Sequence, residues 1–527
     1  MVIKLKKAVL ASFVILCLLF ILSLRDYKIS VEASSTTWTV DDDGPANFRT
    51  IQDAINNATS GDTIFVHMGT YWEHIIVNKS IALVGESRDY TVIDGNGTGN
   101  VISIKADTVS VEGFTIKKSG IYPYSGICIE PHIGNFISNN KIIDNYEGIS
   151  LYYSSNNVIS ANILSNNYDG IYLHASSNNV FSGNTISSNN YGGISLYASS
   201  NNVFSGNTIS SNNYGGISLY ASSNNVVSSN NVVSNSYYGI ILALLSTNNT
   251  IYLNNFNNTA QVLTDSTNVW TYGGEGNYWS DYKGQDLNED GIGDNPYVID
   301  ENNQDIHPLM GMFSCFPFML ERETYYVTII SNSTISDFRF EIGNETGNKI
   351  IRFNTAGKYG SVGFSRVVIP IELMKYPYIA LIDSEEVIPT LLDTPNKTYA
   401  CLYFTYSEKN HTIKIISSKT LLLYYEMLDS YFELQKDLYN LNETYYDLLN
   451  SYTILSGNYS QLQKSFGEMN ASYQQHLFYY SEQAQNTRSI MYIFAATTGI
   501  VIITIIYLSK SAHVSITTKT KVIKEVK

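Results

Sequence analysis

The chain has 527 residues, of which 15% are charged, and it carries a formal net charge of −15. A chain of this length is usually too long to fold around a single hydrophobic core, so the sequence predicts several structural units. The acidic balance argues against nucleic acid as a partner, because phosphate binding requires clustered lysine and arginine.

The N-terminal segment predicts export. Residues 1–33 combine a basic start with an apolar run from Ala8 to Leu24, which indicates a secretory signal peptide or an uncleaved signal anchor. Twelve N-x-S/T sequons lie outside the asparagine-rich repeat, and they favour an extracellular glycoprotein.

Residues 36–310 are predicted to form a parallel β-helix. A 23-residue stretch, Ser176 to Ala198, recurs unchanged from Ser199 to Ala221, and related copies flank it. Each copy alternates apolar and polar residues over only three to five positions, which predicts short strands rather than helices. Such a unit cannot bury its own apolar side, whereas stacked coils can, so equivalent strands are expected to pair in parallel. Before the coils, the stretch FRTIQDAINNA predicts an amphipathic helix with a capping box at Thr50 and Asp53, suited to close the open end of the coils.

Two residue columns run through the aligned copies. We expect one asparagine column to stack inward as a hydrogen-bonded ladder. Its members are Asn140, Asn162, Asn184, Asn207, Asn230 and Asn254. We interpret a glycine column as turn positions that need a positive φ. Its members are Gly148, Gly170, Gly193, Gly216 and Gly239.

The opening of this region carries a family resemblance. The segment VDDDGPANFRTIQDAINNATSGDTIFVHMGTYWEHIIVNKSIALVGE and the coils after it resemble the NosD-type right-handed β-helix family and the wider carbohydrate-binding and sugar-hydrolase β-helices. The resemblance covers about residues 36–310 and implies the right-handed fold. The segment is similar to pectin methylesterases only at its start, and the catalytic aspartate patterns of those enzymes are not found in this sequence. NosD proteins are linked to copper delivery for nitrous oxide reductase. The soft copper ligands that cluster in this sequence are His67, Met68 and His74. We favour the interpretation that these are ordinary strand residues over a copper-binding role.

The outward positions of the coils supply the candidate site residues. One aromatic column, a candidate ligand-binding strip for sugar faces, consists of Tyr152, His174, Tyr197 and Tyr220. A second consists of Tyr146, Tyr168, Tyr191, Tyr214 and Tyr237. The alternative is that these rings only stabilise neighbouring coils. Glu147 and Asp169 fall one coil apart, a carboxylate spacing of about 5 Å that retaining glycosidases use, so they are weak catalytic candidates; the alternative is a solvated turn.

A calcium-type loop ends the predicted β-helix. In DLNEDGIGD, Asp286, Asn288, Asp290 and Asp294 occupy alternating ligand positions around Gly291. This pattern of hard oxygen ligands and a turn glycine predicts a structural Ca²⁺ site similar to thrombospondin type 3 loops, with a metal-free Asx-rich turn as the alternative.

The remaining segments predict a spacer and a membrane anchor. Residues 316–418 contain seven alternating runs and are expected to form an immunoglobulin-like β-sandwich, resembling a domain common on archaeal surface proteins. Cys315 and Cys401 flank the predicted sandwich, and the sequence leaves open whether they form a disulfide. Residues 420–486 follow an unbroken heptad pattern, which predicts a coiled-coil stalk of undetermined oligomer number. Residues 490–508 form an uncharged apolar run that predicts a transmembrane helix, and the basic tail 509–527 is expected in the cytoplasm.

The fold class predicted is therefore all-β, with a right-handed parallel β-helix, a sandwich, a coiled coil and a transmembrane helix. We interpret the protein as a single-pass cell-membrane protein whose extracellular β-helix binds glycans or envelope proteins. Two alternatives remain: a polysaccharide hydrolase or lyase on the same scaffold, and a copper-handling accessory protein.

Overall fold

The computed structural model describes residues 35–358, 360–394, 397–407, 409–480, 495–507 and 509. The predicted signal segment, residues 1–33, lies outside them. The chain divides into two compact units, residues 1–423 and 424–527.

The first unit begins with a parallel β-helix in which each regular coil contributes one strand to each of three sheets. Sheet A contains, in spatial order, β1 (Thr37–Val40), β2 (Thr63–Val66), β5 (Ala82–Gly85), β8 (Ser110–Glu112), β11 (Phe136–Ser138), β14 (Val158–Ser160), β17 (Val180–Ser182), β20 (Val203–Ser205), β23 (Val226–Ser228) and β26 (Thr250–Tyr252). Sheet B contains β3 (Gly69–Tyr71), β6 (Thr91–Asp94), β9 (Thr115–Lys117), β12 (Lys141–Ile143), β15 (Ile163–Ser165), β18 (Thr185–Ser187), β21 (Thr208–Ser210), β24 (Asn231–Val233), β27 (Asn255–Asn257) and β29 (Tyr278–Trp279). Sheet C contains β4 (Ile75–Val77), β7 (Ile102–Ile104), β10 (Ser125–Ile129), β13 (Glu147–Tyr152), β16 (Asp169–His174), β19 (Ile194–Tyr197), β22 (Gly215–Tyr220), β25 (Tyr238–Ala243) and β28 (Ala260–Thr264).

The register confirms that the repeat is one coil long. Phe181 pairs with Phe204 and Ile194 with Ile217, so residues that are identical in the duplicated stretch are direct neighbours. The two phenylalanine rings stack inside the coils with centroids 4.8 Å apart. Inward-pointing apolar side chains form one continuous core because every strand turns the same alternating positions inward.

The predicted capping helix forms as α1 (Ile51–Asn57). Its expected apolar face, Ile51, Ala54 and Ile55, is buried, and the Thr50 hydroxyl accepts a hydrogen bond from the Asp53 amide. The Glu73 carboxylate accepts two further bonds, at 2.8 and 3.0 Å, from the first-turn amides of Ile51 and Gln52. These acceptors satisfy N–H groups that have no partner within the helix, which explains why so short a helix is stable here.

Asparagine forms three buried ladders, although the sequence pattern revealed only one. In the predicted ladder, Asn184 donates its side-chain amide to the Asn207 carbonyl oxygen at 3.0 Å and to the Ile159 backbone carbonyl at 2.9 Å. The second ladder comprises Asn135, Asn157, Asn179, Asn202, Asn225, Asn249 and Asn268. The third comprises Asn145, Asn167, Asn189, Asn212, Asn235 and Asn258. Each ladder satisfies backbone groups at a corner of the coil, where the strands end and their own pairing stops.

The prediction for the glycine column is wrong. None of its five members has a positive φ; Gly148, Gly170 and Gly216 lie within strands of sheet C. A Cβ added at Gly193 would lie 2.6 Å from the Gly216 carbonyl oxygen. Glycine is needed because successive coils approach too closely for any side chain, not because the backbone is left-handed. The turn glycines of the repeat are instead Gly183 and Gly206, with φ of +62° and +64°.

A β-sandwich follows in the same unit, built from ten strands rather than the seven predicted. One five-stranded antiparallel sheet contains β32 (Met312–Leu320), β33 (Glu323–Ser331), β36 (Val362–Pro370), β40 (Tyr399–Ser407) and β39 (Thr390–Leu392). The other contains β34 (Thr334–Ile342), β35 (Lys349–Ala356), β41 (His411–Ser417), β37 (Tyr378–Ile382) and β38 (Glu385–Val387). The hairpin β30 (Tyr297–Asp300) and β31 (Asn303–Asp305) precedes it. Seven of the strands match the seven predicted runs, and the other three, β32, β38 and β39, come from segments outside those runs.

The sandwich cysteines do not form a disulfide. Cys128, Cys315 and Cys401 are all free thiols. The register runs from Cys315 through Thr328 and Val368 to Cys401, so two strands separate the candidate pair. Three strand spacings of about 4.8 Å exceed the reach of a disulfide, which excludes the bond in this fold.

The second unit contains the rest of helix α2 (Lys419–Tyr480), a continuous helix of 62 residues. Its predicted seam positions Tyr431, Leu438 and Leu455 are 53%, 63% and 57% exposed in the single chain. The coiled coil and its oligomer number therefore stay predictions. Among the described residues, no helix is both long and apolar enough to cross a membrane. The predicted span 490–508 includes residues 490–494 and 508, which are not described, and nearly all of the predicted tail 509–527 also lies outside the described residues.

Candidate functional site

The first aromatic column lies on the outer face of sheet C, as the repeat predicts. Tyr152, His174, Tyr197 and Tyr220 are in register on β13, β16, β19 and β22. The Tyr197 and Tyr220 rings stack with centroids 4.8 Å apart, whereas Tyr152 and His174 are tilted at 6.2 Å. Tyr197 remains 39% exposed and its neighbours are half-buried, so the strip presents ring surface to solvent.

The second column is the more regular one. Tyr146, Tyr168, Tyr191 and Tyr214 stack at centroid distances of 4.7, 5.2 and 4.7 Å, with ring planes within 7° of parallel. Backbone N–H groups also bond from coil to coil here, from Tyr191 to Tyr168 and from Tyr214 to Tyr191. Stacked tyrosines stabilise adjacent coils, so this column serves stability whether or not it touches a ligand.

Tyr172 joins the strip and was missed by the sequence analysis. Its ring centroid lies 5.7 Å from that of Tyr152 and 5.8 Å from that of Tyr197. Tyr172 lies on β16 between Ser150 of the preceding coil and Ser195 of the following coil. The signal was present as a tyrosine at a position where the adjacent copies have serine.

The two acid candidates lie between the aromatic columns and are buried, which corrects the alternative of a solvated turn. Glu147 and Asp169 pair in register and are only 3% and 7% exposed. The Glu147 carboxylate accepts hydrogen bonds from the hydroxyls of Ser125 at 3.1 Å and Tyr152 at 3.3 Å. The Asp169 carboxylate accepts bonds, each at 3.1 Å, from the Gly192 amide and the Ser195 hydroxyl. Gly192 is required at that position because a Cβ would lie 2.7 Å from the Asp169 carboxylate.

Burial changes the protonation of both acids. Loss of solvent, together with the nearby Asp169 charge, raises the pKa of Glu147 to about 7 against the opposing hydrogen bond from Ser125. Burial raises the pKa of Asp169 to about 6, although Ser195 and Gly192 stabilise its charged form. A carboxyl group that titrates near neutral pH is suited to general acid–base chemistry. Here both carboxylates are buried, and the Tyr152 hydroxyl contacts Glu147, so a ligand reaches them only if the groups around them move.

The calcium-type loop keeps its predicted turn. Gly291 has a φ of +83°, and Asp286 accepts bonds from the amides of Asp290 and Gly291 at 3.1 and 2.8 Å. Asp294 accepts a bond from the Leu287 amide, and the Asn288 amide donates to Asp290. Burial raises the pKa of Asp286. The oxygen donors suit Ca²⁺, but several of them already accept bonds within the loop, so the calcium site stays a prediction.

The soft-ligand residues do not converge. The His67 imidazole pairs with Glu86 at 3.1 Å, and His74 bonds to the Asn100 carbonyl and the Thr98 hydroxyl. Of the described residues, one group of three acids, Asp41, Asp42 and Asp43, brings ligand atoms within 4.8 Å of one another. An exposed acidic group of this kind is common without a metal.

Comparison with known proteins agrees with the architecture. Residues 55–284 match the family model described as "Periplasmic copper-binding protein (NosD)", which confirms the predicted NosD-like β-helix. A cell surface glycoprotein of Methanothermus fervidus is 39% identical over 100 residues, a match that covers 18% of this chain and 16% of that protein. The match thus spans well under a fifth of the relative's length.

Solved structures that match part of the chain include tailspike protein 2 of bacteriophage CBA120, with a TM-score of 0.36 and 13% identity over 74% of each chain. An alginate lyase from Paenibacillus sp. str. FPU-7 has a TM-score of 0.34 and 15% identity, covering 41% of this chain and 89% of the lyase.

Proposed function

We propose that this chain is a cell-surface protein whose β-helix binds glycans through the tyrosine face, defined as Tyr152, Tyr172, His174, Tyr197 and Tyr220. The observation that carries the proposal is the arrangement of those rings: Tyr152, His174, Tyr197 and Tyr220 lie in register on adjacent strands, and the Tyr172 ring lies beside Tyr152 and Tyr197. Sugar C–H faces pack on aromatic rings, and the hydroxyls at ring edges can bond to sugar hydroxyls. The match to a cell surface glycoprotein supports the location.

The proposal includes the anchor that the sequence predicts. Residues 490–508 would hold the protein in the cell membrane, with the tail 509–527 in the cytoplasm. Residues 420–486 would form the coiled-coil stalk, through which copies of the chain would associate. The calcium-type loop, with Asp286, Asn288, Asp290 and Asp294, would hold one structural Ca²⁺. An envelope protein is the other class of partner that the tyrosine face suits.

The test is glycan binding by the full chain in detergent. The purified protein is applied to a glycan array, and each hit is titrated by calorimetry. The double variant Tyr197→Ala/Tyr220→Ala is expected to lose binding, because it removes a stacked pair from the strip. Tyr90→Ala is the matched control, since Tyr90 is 68% exposed elsewhere on the β-helix. Equal affinity of the double variant and the control would refute the proposed face, and binding to no glycan would refute the function.

A second candidate, a polysaccharide hydrolase or lyase, is favoured by one observation: the register pair Glu147 and Asp169, buried with raised pKa values. Assays of reducing-end release and of unsaturated-product absorbance distinguish it from a binding protein. Turnover that disappears in Glu147→Gln would establish it, whereas binding without turnover on the bound polymers would exclude it.

A further inference from the structure

A polar cleft lies where the β-helix meets the sandwich, on the outer side of sheet B and away from the tyrosine face. Its volume is about 530 Å³, within the range of about 300–1,000 Å³ typical of small-molecule sites. The β-helix contributes Thr208, Ser229 and Asn231 to its lining. The sandwich contributes Ser314, Cys315, Phe316 and Thr334.

The frame of the cleft is held by contacts between the two domains. Arg366 of the sandwich donates two hydrogen bonds to the Glu275 carboxylate of the β-helix, at 2.9 and 2.7 Å, and its side chain is only 11% exposed. Asn255 exchanges two bonds of 2.8 Å with the backbone of Phe313. A bidentate, largely buried ion pair restricts rotation of one domain against the other, so the cleft is already formed without a ligand.

The lining defines the ligand chemistry. None of the residues that line the cleft carries a formal charge. The wall combines hydroxyl and amide groups with apolar side chains, among them Met312, Phe313, Phe316 and Ile335. The side-chain carbonyl oxygen of Asn231 is buried and has no hydrogen-bond partner. Such an orphan acceptor is costly in a folded protein and marks a position where a donor is missing.

We propose that this cleft between sheet B and the sandwich binds one uncharged, hydroxyl-rich ligand, of the class of a neutral saccharide unit. One ligand hydroxyl donates to the Thr208 hydroxyl, and a second donates to the side-chain carbonyl oxygen of Asn231 once that side chain turns toward the cleft. The apolar face of the ligand packs on Phe316. The charge-free lining selects against uronic acids and phosphorylated sugars, because their charge would be desolvated without a counter-ion.

The exposed thiol of Cys315 provides the assay. Full-length protein is labelled with a maleimide in the presence of each neutral monosaccharide of a panel, and labelling of Cys315 is followed by peptide mass spectrometry. A sugar at ten times its Kd leaves about one site in eleven free, so labelling is expected to slow about tenfold. Glucuronic acid serves as the charged probe and is expected to give no protection.

The repeat supplies a matched control. Thr208→Arg fills the cleft and is expected to abolish protection, whereas Thr185→Arg places the same change one coil away, outside the lining. Asn231→Leu provides a second test if Thr208→Arg fails to fold, as judged by circular dichroism. An unchanged labelling rate with every neutral sugar would overturn the proposal, as would equal protection in Asn231→Leu and Thr185→Arg. Tyr197→Ala should leave protection intact, which separates this site from the tyrosine face.

Discussion

The buried asparagine ladder makes the sharpest prediction about stability. In Asn184→Ala, the side-chain carbonyl that accepts bonds from the Asn162 backbone amide and side-chain amide, at 3.0 and 3.1 Å, is removed. The bond of 2.9 Å to the Ile159 carbonyl is also lost. All of these groups are inside the coils, where water cannot replace the missing partner.

The expected cost follows from the number of groups left unpaired. The Asn162 backbone amide and the Ile159 carbonyl lose these bonds, whereas the Asn162 side-chain amide keeps its bond of 2.8 Å to the Ile137 carbonyl. Two buried groups deprived of a partner cost about 1–3 kcal/mol each, so the substitution should destabilise the surrounding coils by about 2–6 kcal/mol. Asn190→Ala is the control, since Asn190 is exposed and lies in the same coil. A surface change of that kind should stay within about 0.5 kcal/mol.

Hydrogen–deuterium exchange of the full chain is the appropriate assay, because stacked repeats open locally and need not unfold in one transition. Residues 154–175 contain Asn162 and have a sequence found once in the chain, so their peptides can be assigned without ambiguity. A loss of 2 kcal/mol or more raises local exchange by about 30-fold or more. If Asn184→Ala exchanges no faster than Asn190→Ala, the ladder does not stabilise the coils and the reasoning fails.

Three other predictions test separate features. Gly193→Ala places a Cβ within 2.6 Å of a backbone carbonyl oxygen, whereas the Cβ of Gly183→Ala meets open space and costs about 1–2 kcal/mol of backbone strain. Gly193→Ala should therefore lower the free energy of unfolding, measured by denaturant titration, more than Gly183→Ala does. The reverse order would support the interpretation of the glycine column as turn positions. Glu147 binds its proton more tightly when folded, since its pKa rises from 4.5 to about 7, so its contribution to stability is full below pH 4.5 and is lost as pH rises through about 7. Glu147→Gln should remove about 3 kcal/mol of that pH dependence, and identical stability profiles of the variant and the parent would contradict the burial argument. Under native, non-reducing conditions Cys315 should react with maleimide and buried Cys401 should not, and a mass consistent with a disulfide between them would contradict the register.

Much of the β-helix was determined by the sequence alone, because the repeat is a local property. A verbatim 23-residue duplication fixes the coil length, and alternation within each copy fixes which side chains face inward. The predicted asparagine ladder and the aromatic columns followed from that register, and the capping helix followed from its own apolar spacing and capping box. Seven of the ten sandwich strands also followed from alternation, whereas β32, β38 and β39 did not, since the extent of these strands depends on the strands they pair with.

The tertiary structure alone decided what each column does. The glycine column was predicted to form turns, but its members lie where successive coils approach closely. The sequence of one coil does not reveal the distance to the next coil. Glu147 and Asp169 looked like polar turn residues, yet both are buried in the folded coils, and burial raises their pKa values. The cleft beside Asn231 depends on how the sandwich packs against sheet B, a non-local contact that no repeat encodes. Periodicity specifies neighbours one coil apart, whereas burial and charge depend on everything that packs around them.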